Sequence, residues 1–385
     1  MNFESEVIHG KQQMINGKNV MIPPIIMDSA TALESVDYGI NLLSLEKENG
    51  FFYSRYGNPT VRILEEKMAL LEDAQDALAC SSGMTAVWLV VMSLCRAGDN
   101  VILPYNVYHE ISDFMTYLHK FNISVSLIDM SNVDEIEKNI KCNTRLILIE
   151  TPTNPMLKIL DIRKIAKIAK KHNVVFAVDN TMLTNYIQKP IRLGADISLY
   201  STTKFINGHG DAIGGVICGS KDMIKEIKVL SDFAGTMMTP YNAWLTLRGL
   251  KTLHVRMDRQ VQNAQKLAEF LQKSKFVEKV FYPGLEDFEQ ARLVNEQMRS
   301  GGAIITFEIK GGKKAGEAFM RNMSMIKIAT TFGNIETIAY HFATFARPSR
   351  DIEKIGESLG AIRCSVGLEN IEDIIKDFKT AFGNL

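Results

Sequence analysis

Short apolar runs alternate with amphipathic segments through the middle of this chain, and that alternation most narrows the folds open to it. Val101-Ile102-Leu103, Val125 to Ile128, Arg145 to Ile149 and Val174 to Val178 each read as a strand. Between them His109 to Phe121, Asp134 to Ile140 and Asp161 to His172 read as helices. In the last of these, Ile162, Ile165, Ala166, Ile168 and Ala169 fall on one side. Strands that are apolar throughout are buried on both faces, so the expected fold is α/β, a mostly parallel sheet flanked by helices. Upstream, Asn58-Pro59-Thr60 opens a helix that runs to Glu72, and Ser81-Ser82-Gly83 opens another over Met84 to Leu94. Past residue 240 the texture changes. Ala243 to Phe270 reads as one long helix or two abutting ones, followed by strands at Ala303 to Ile309 and Ala361 to Val366. Helices are expected at Ala315 to Met323 and Ile371 to Phe382. The expected division is an irregular N-terminal arm over 1–50, a large domain over 51–240 and a smaller C-terminal α+β domain over 241–385.

The composition excludes several functions. With 385 residues, 46% apolar and 23% charged, the chain can bury a large core. Its 44 acidic and 44 basic side chains cancel and no tail concentrates either sign. Electrostatic attachment to nucleic acid or to a membrane surface is therefore not expected. The apolar run Ala86 to Cys95 is too short to span a bilayer. Met1 to Gln13 carries Glu4, Glu6 and His9 and lacks the apolar centre of a signal peptide, so a cytoplasmic location is expected. Cys80, Cys95, Cys142, Cys218 and Cys364 are odd in number and scattered, which fits reduced thiols better than disulfides. No His/Cys/carboxylate spacing indicates a metal.

The chemistry gathers around Ser201-Thr202-Thr203-Lys204, which follows the apolar run Ile197 to Tyr200. A lysine at the mouth of a buried strand can be desolvated, which lowers its pKa and makes it a nucleophile toward an aldehyde. Ser201 and Thr203 alternate with Thr202 if the segment is extended, so both hydroxyls can face one anion. Ligands of such sheets sit beyond the carboxyl ends of the strands. Asp179 stands there, after Val174 to Val178, and can hold a pyridine nitrogen protonated. Gly83 and Met84 lie at a helix start suited to a phosphate. Tyr108 follows the Val101 to Leu103 strand and can stack on a flat cofactor.

Taken together, these residues resemble the fold-type I enzymes that use pyridoxal 5'-phosphate (PLP). Phe52 to Thr60, Ser82-Gly83-Met84, Glu150 to Pro155, Val178 to Thr181, the Lys204 segment and Arg363 to Glu369 narrow the likeness. Each is similar to a motif of the cysteine/methionine metabolism family, the trans-sulfuration enzymes, and they keep the family's order. The resemblance implies an aspartate aminotransferase-like fold with PLP bound covalently to Lys204, which also shuttles protons. It implies that Asp179 pairs with the ring nitrogen and that Tyr108 stacks on the ring and assists acid–base steps. Gly83, Met84, Ser201 and Thr203 are implied as phosphate ligands, with Tyr53 and Arg55 reaching the phosphate of a neighbouring subunit. That arrangement implies a homo-oligomer, at least a dimer and commonly a tetramer. Asn154 is implied near the cofactor oxygen and substrate, and Arg363 at the substrate carboxylate.

The chain departs from the family in two places. His109-Glu110 follows Tyr108 where relatives carry small residues, which counts against methionine γ-lyase. Thr331-Phe332-Gly333 and His341 to Arg347 replace the usual Ser-Leu-Gly and His-Pro-Ala segments. Thr331, Glu110 and Arg347 therefore become candidates for contact with the substrate side chain. The expected reaction is elimination or replacement at Cγ, or Cβ, of a sulfur- or homoserine-derived L-amino acid, with cystathionine-type reactions slightly favoured. An O-acylhomoserine sulfhydrylase or a γ-replacement enzyme of specialised metabolism is the alternative. A nucleotide-binding oxidoreductase is the remote one. For that, Gly208, Gly210 and Gly214 are spaced one residue too long, and their loop precedes an apolar run. A catalytically inactive homologue is a further reading, against which Lys204, Asp179, Tyr108 and Arg363 stand together.

Overall fold

The structure, a computed structural model, describes residues 1–11, 14–15, 18–43, 51–105, 107–345 and 358–383. Seven strands form the large sheet: β1 (Asp76–Cys80), β2 (Asn100–Pro104), β3 (Ser124–Ile128), β4 (Thr144–Glu150), β5 (Val175–Asp179), β6 (Ile197–Ser201) and β7 (Gly215–Gly219). Their spatial order is β1-β7-β6-β5-β4-β2-β3. All neighbours are parallel except β7, which runs antiparallel to both β1 and β6. Two reversals leave β1 pointing the same way as the rest, so six strands end on one edge.

Both faces of this sheet are covered, as continuous apolar strands require. Leu103, Leu146, Leu148 and Leu199 pack in one layer with Leu89 and Val90 of the helix Gly83–Leu94. Ile102, Ile147, Ile149, Phe176 and Val178 pack in the opposite layer with Ile162 and Ile165 of the helix Ile162–Lys171. The period-two alternation of side chains across a strand sorts the residues between the layers. Local caps set the helix ends. The Asn58 side chain accepts from the Thr60 amide at 2.9 Å, with Pro59 in the first turn of the helix Pro59–Glu72. Asp161 accepts from the Lys164 amide at 3.0 Å.

A second sheet holds β8 (Val277–Phe281), β9 (Ile304–Ile309), β10 (Lys327–Ile328), β11 (Ile338–His341) and β12 (Ala361–Ser365), in the order β8-β9-β12-β11-β10. It is antiparallel apart from the β10–β11 pair. Helices Gly312–Asn322 and Ile371–Gly383 cover it through Phe319 and Phe378, which pack on Phe307. The long segment after residue 240 is two helices, Pro240–Leu250 and Leu253–Gln272.

Two expectations need correction, and a third falls on residues outside those described. Within 1–50 the chain forms helices at Phe3–His9 and Val36–Leu43; the first buries only Val7, too little apolar periodicity to be read. Arg347 lies outside the described residues. The segment after Ser201 is not extended: β6 ends there and the chain turns, with the Asn207 amide donating to the Thr202 carbonyl at 3.0 Å.

Candidate active site

The carboxyl edge of the large sheet assembles the site. Glu150 and Asp179 end neighbouring strands in register, and Ser201 ends the next one. On the far side of β7, Cys80 and Ser201 both pair with Gly215. A side chain at Gly215 would lie 2.2 Å from the Ser82 carbonyl oxygen, so glycine lets the Ser82-Gly83 turn cross the strand end. Gly83 in turn abuts Ser201: an added Cβ would stand 2.6 Å from the serine Cβ.

This closeness makes a candidate anion seat. The first four amides of a helix have no partner within it. In the helix Gly83–Leu94 the Ser82 hydroxyl takes the Thr85 amide at 3.1 Å, while Gly83 and Met84 supply the first two amides of that helix. Thr203 is placed differently from Ser201. Its hydroxyl donates to the Gly214 carbonyl at 3.3 Å and accepts from the Gly214 amide at 3.1 Å.

Asp179 accepts from the Thr181 amide at 3.0 Å, while the Thr181 hydroxyl accepts from the Ser201 amide at 2.8 Å. Thr181 thus ties the carboxylate to the end of β6, a link the sequence reading had not assigned. Burial raises the Asp179 pKa, with Thr181 hydrogen bonds opposing it. No cation is among its recorded partners in the described residues. A buried carboxyl so placed fits the protonated ring nitrogen of a pyridine cofactor.

Lys204 lies in the turn after β6. Its Nζ donates to the Thr331 hydroxyl at 2.7 Å and stands 5.0 Å from the centre of the Phe332 ring. Burial, then the Arg363 charge, lowers its pKa to about 8. A buried guanidinium pins the loop that follows. Arg256 donates to the carbonyls of Phe205 at 2.7 Å, Ile206 at 3.2 Å and Gly249 at 2.9 Å. Nothing in the sequence marked Arg256, which the fold carries to the lysine from a helix about fifty positions away.

Arg363 reaches the site from β12. It donates to Asn154 Oδ1 at 2.9 Å and to the Thr331 carbonyl at 3.2 Å. Phe332, Tyr340 and Phe342 surround it, their ring centres 5.2, 5.6 and 5.6 Å from the guanidinium carbon. Burial lowers its pKa to about 10.

Lys204, Thr331, Asn154 and Arg363 therefore form one connected group, and Tyr108 lies within electrostatic reach of Arg363. Glu110 is half-buried and pairs with His109 at 3.4 Å. Arg55 is bonded elsewhere, and Tyr53 lies at the surface. Arg55 donates to the Asp232 carbonyl at 2.6 Å and packs 4.3 Å from the Tyr56 ring centre, and Tyr53 is 43% exposed. The aromatic trio around Arg363 was not foreseen as a unit; Phe332 had drawn notice only as a departure.

The model of the Cys/Met metabolism PLP-dependent enzyme family matches residues 4–383. The chain belongs to that family. L-methionine γ-lyase of Fusobacterium nucleatum subsp. polymorphum is 40% identical over 363 residues, 92% of each chain. Cystathionine β-lyase of Lactococcus lactis subsp. cremoris is also 40% identical, over 99% of this chain and 98% of the relative. The crystal structure of metB from Corynebacterium glutamicum superposes with a TM-score of 0.94 at 34% identity, covering 100% of this chain and 98% of that one. The expected family, fold and cofactor are thereby established: this is a PLP-dependent enzyme of trans-sulfuration-type elimination chemistry, with a large mostly parallel sheet and a smaller sheet domain. Among the described residues there is no cluster of three potential metal ligands, and no helix is long and apolar enough to cross a membrane.

Proposed function

We propose that this enzyme is a carbon–sulfur lyase that expels a thiol from Cγ of a small, uncharged thioether amino acid, as an L-methionine γ-lyase does. The observation that carries the reading is the Arg363 guanidinium set among Phe332, Tyr340 and Phe342 beside Lys204. Among the described residues Arg363 is the guanidinium that stands beside Lys204 for the substrate carboxylate, and the surface around it is aromatic, which suits a thioether. PLP, when bound, supplies the electron sink for the pair left at Cα once its proton is removed.

The remaining roles belong to side chains of this enzyme. Arg363 binds the α-carboxylate, and Asn154 orients the guanidinium. Lys204 Nζ, its pKa lowered by burial to about 8, takes the Cα proton and is held in reach by the Thr331 hydroxyl. Loss of a Cβ proton and of the Cγ–S bond expels the thiol, and hydrolysis then yields a 2-oxo acid and ammonia. Tyr108 covers the ring and offers its hydroxyl as acid or base. Asp179 carries the charge that matches the ring nitrogen, and Gly83, Met84, Ser201 and Thr203 hold the phosphate. Tyr53 and Arg55 serve the neighbouring subunit's phosphate in a homodimer or a larger assembly.

Cystathionine is the second reading, favoured by Glu110, whose carboxylate suits a distal ammonium. Release of 2-oxo acid from L-methionine, L-cystathionine, L-cysteine and O-acylated homoserines, with and without added thiol, decides between them. The proposal predicts the highest kcat/KM with methionine and no need for thiol. A preference for cystathionine that Glu110→Ala abolishes supports the second reading. Turnover only with an acylated homoserine plus thiol contradicts both.

A further inference from the structure

Glu150 has no role in the mechanism above, yet it touches three of its parts. It ends β4 in register with Asp179 on β5. Its Oε2 accepts the backbone amide of Tyr108 at 2.9 Å, across 42 positions of chain. It also lies within electrostatic reach of Arg363. The side chain is buried, at 5% exposure. Tyr108 stands at the N-cap of the helix His109–Tyr117, and its own side chain makes no cap bond there. The amide that fixes where this helix begins is thus held by a carboxyl from the sheet edge.

We propose that Glu150 is a positioning residue that holds the Tyr108 ring over the cofactor pocket by anchoring the Tyr108 amide beside Asp179. The inference rests on the reading that PLP occupies this pocket. Two carboxyls at neighbouring strand ends do not both ionise cheaply in a buried place. Burial, and then the Asp179 charge, raise the Glu150 pKa to about 8. Of the pair, Glu150 is the member whose charge is disfavoured by its neighbour, so the proton belongs on it and its carbonyl oxygen accepts the Tyr108 amide. A neutral side chain of the same shape should do the same work.

The test compares Glu150→Ala and Glu150→Gln with the wild-type enzyme. Exchange of the Tyr108 amide is measured in the apoprotein, and kcat and KM are measured per cofactor-loaded protomer. Alanine is expected to speed exchange of that amide and to lower kcat by at least about tenfold, with KM changed by less than about threefold. Glutamine is expected to restore both the protection and most of the rate. Wild-type kcat in the alanine variant, with only a lower melting temperature, overturns the proposal. So does a glutamine variant that protects the amide but is as slow as alanine. Wild-type protein that takes up no PLP instead defeats the functional reading, while the exchange measurement still decides the Glu150–Tyr108 link.

Discussion

The Lys204 amine donates to the Thr331 hydroxyl across 2.7 Å, so the base hangs from the large sheet and its tether comes from a loop of the small one. The same loop gives its Thr331 carbonyl to Arg363. In the proposed mechanism substrate grip and proton transfer therefore share one support, at the juncture of the two sheets.

Thr331→Ala removes the tether without touching the carbonyl that Arg363 uses. One hydrogen bond of this kind is worth about 1 kcal/mol, or roughly fivefold in rate. The expected result is a fall in kcat of that size with KM nearly unchanged in steady-state kinetics. A rise in KM alone contradicts the role given to Thr331.

Arg363→Lys keeps the charge and loses the planar fork that bonds Asn154 and the Thr331 carbonyl together. The expected loss in kcat/KM is about a hundredfold, roughly 3 kcal/mol, carried mainly by KM. The amine is also too compact to fill the space between Phe332, Tyr340 and Phe342. Unchanged KM for every amino acid tried removes Arg363 from carboxylate binding.

Gly83→Ala pushes a methyl group to 2.6 Å from the Ser201 Cβ. The helix start and the end of β6 must separate, opening the anion seat. The dissociation constant for PLP, read by absorbance titration, is expected to rise at least about tenfold, with a lower melting temperature. Wild-type affinity places the phosphate elsewhere.

Glu72 gives a pH signature independent of the cofactor. It is buried, accepts from the Ile191 amide at 3.3 Å and from the Tyr200 hydroxyl, and burial raises its pKa to about 8. From its unfolded value of about 4.3 up to about 8, the folded state keeps a proton that the unfolded state has shed. Stability therefore falls as pH rises through that window. Urea midpoints of the apoprotein at pH 5.5 and 8 should differ less in Glu72→Gln than in wild type. An equal difference contradicts the assignment.

Much of this was legible before any coordinates, for physical reasons. The run Val174 to Val178 can only be a buried strand, and it forms β5 with Asp179 at its end. Ser82 before Gly83 signals a cap, and the Ser82 hydroxyl caps the helix. What stayed hidden depends on distant partners. Asp76-Ala77-Leu78-Ala79-Cys80 has alanines that favour helix, and only its pairing with β7 makes it β1. The break after Leu250 lies next to Gly249, but one glycine leaves one helix or two equally open; what decides is that Gly249 sits against the Asn207 backbone and its carbonyl is taken by Arg256. Glu150 ends an apolar run just as Asp179 does, but its bond to Tyr108 exists only once β2 and β4 lie side by side. The turn after Ser201, where an extended course was expected, stayed hidden because it is set by contacts between Thr203 and Gly214.

The central claim is that Lys204 is the residue that carries PLP. Borohydride reduction of the loaded enzyme, followed by peptide mass mapping, tests it most directly. The account predicts a single cofactor adduct on the peptide containing Lys204 and none in Lys204→Ala. An adduct on another lysine, or the same adduct in the Lys204→Ala protein, would contradict it.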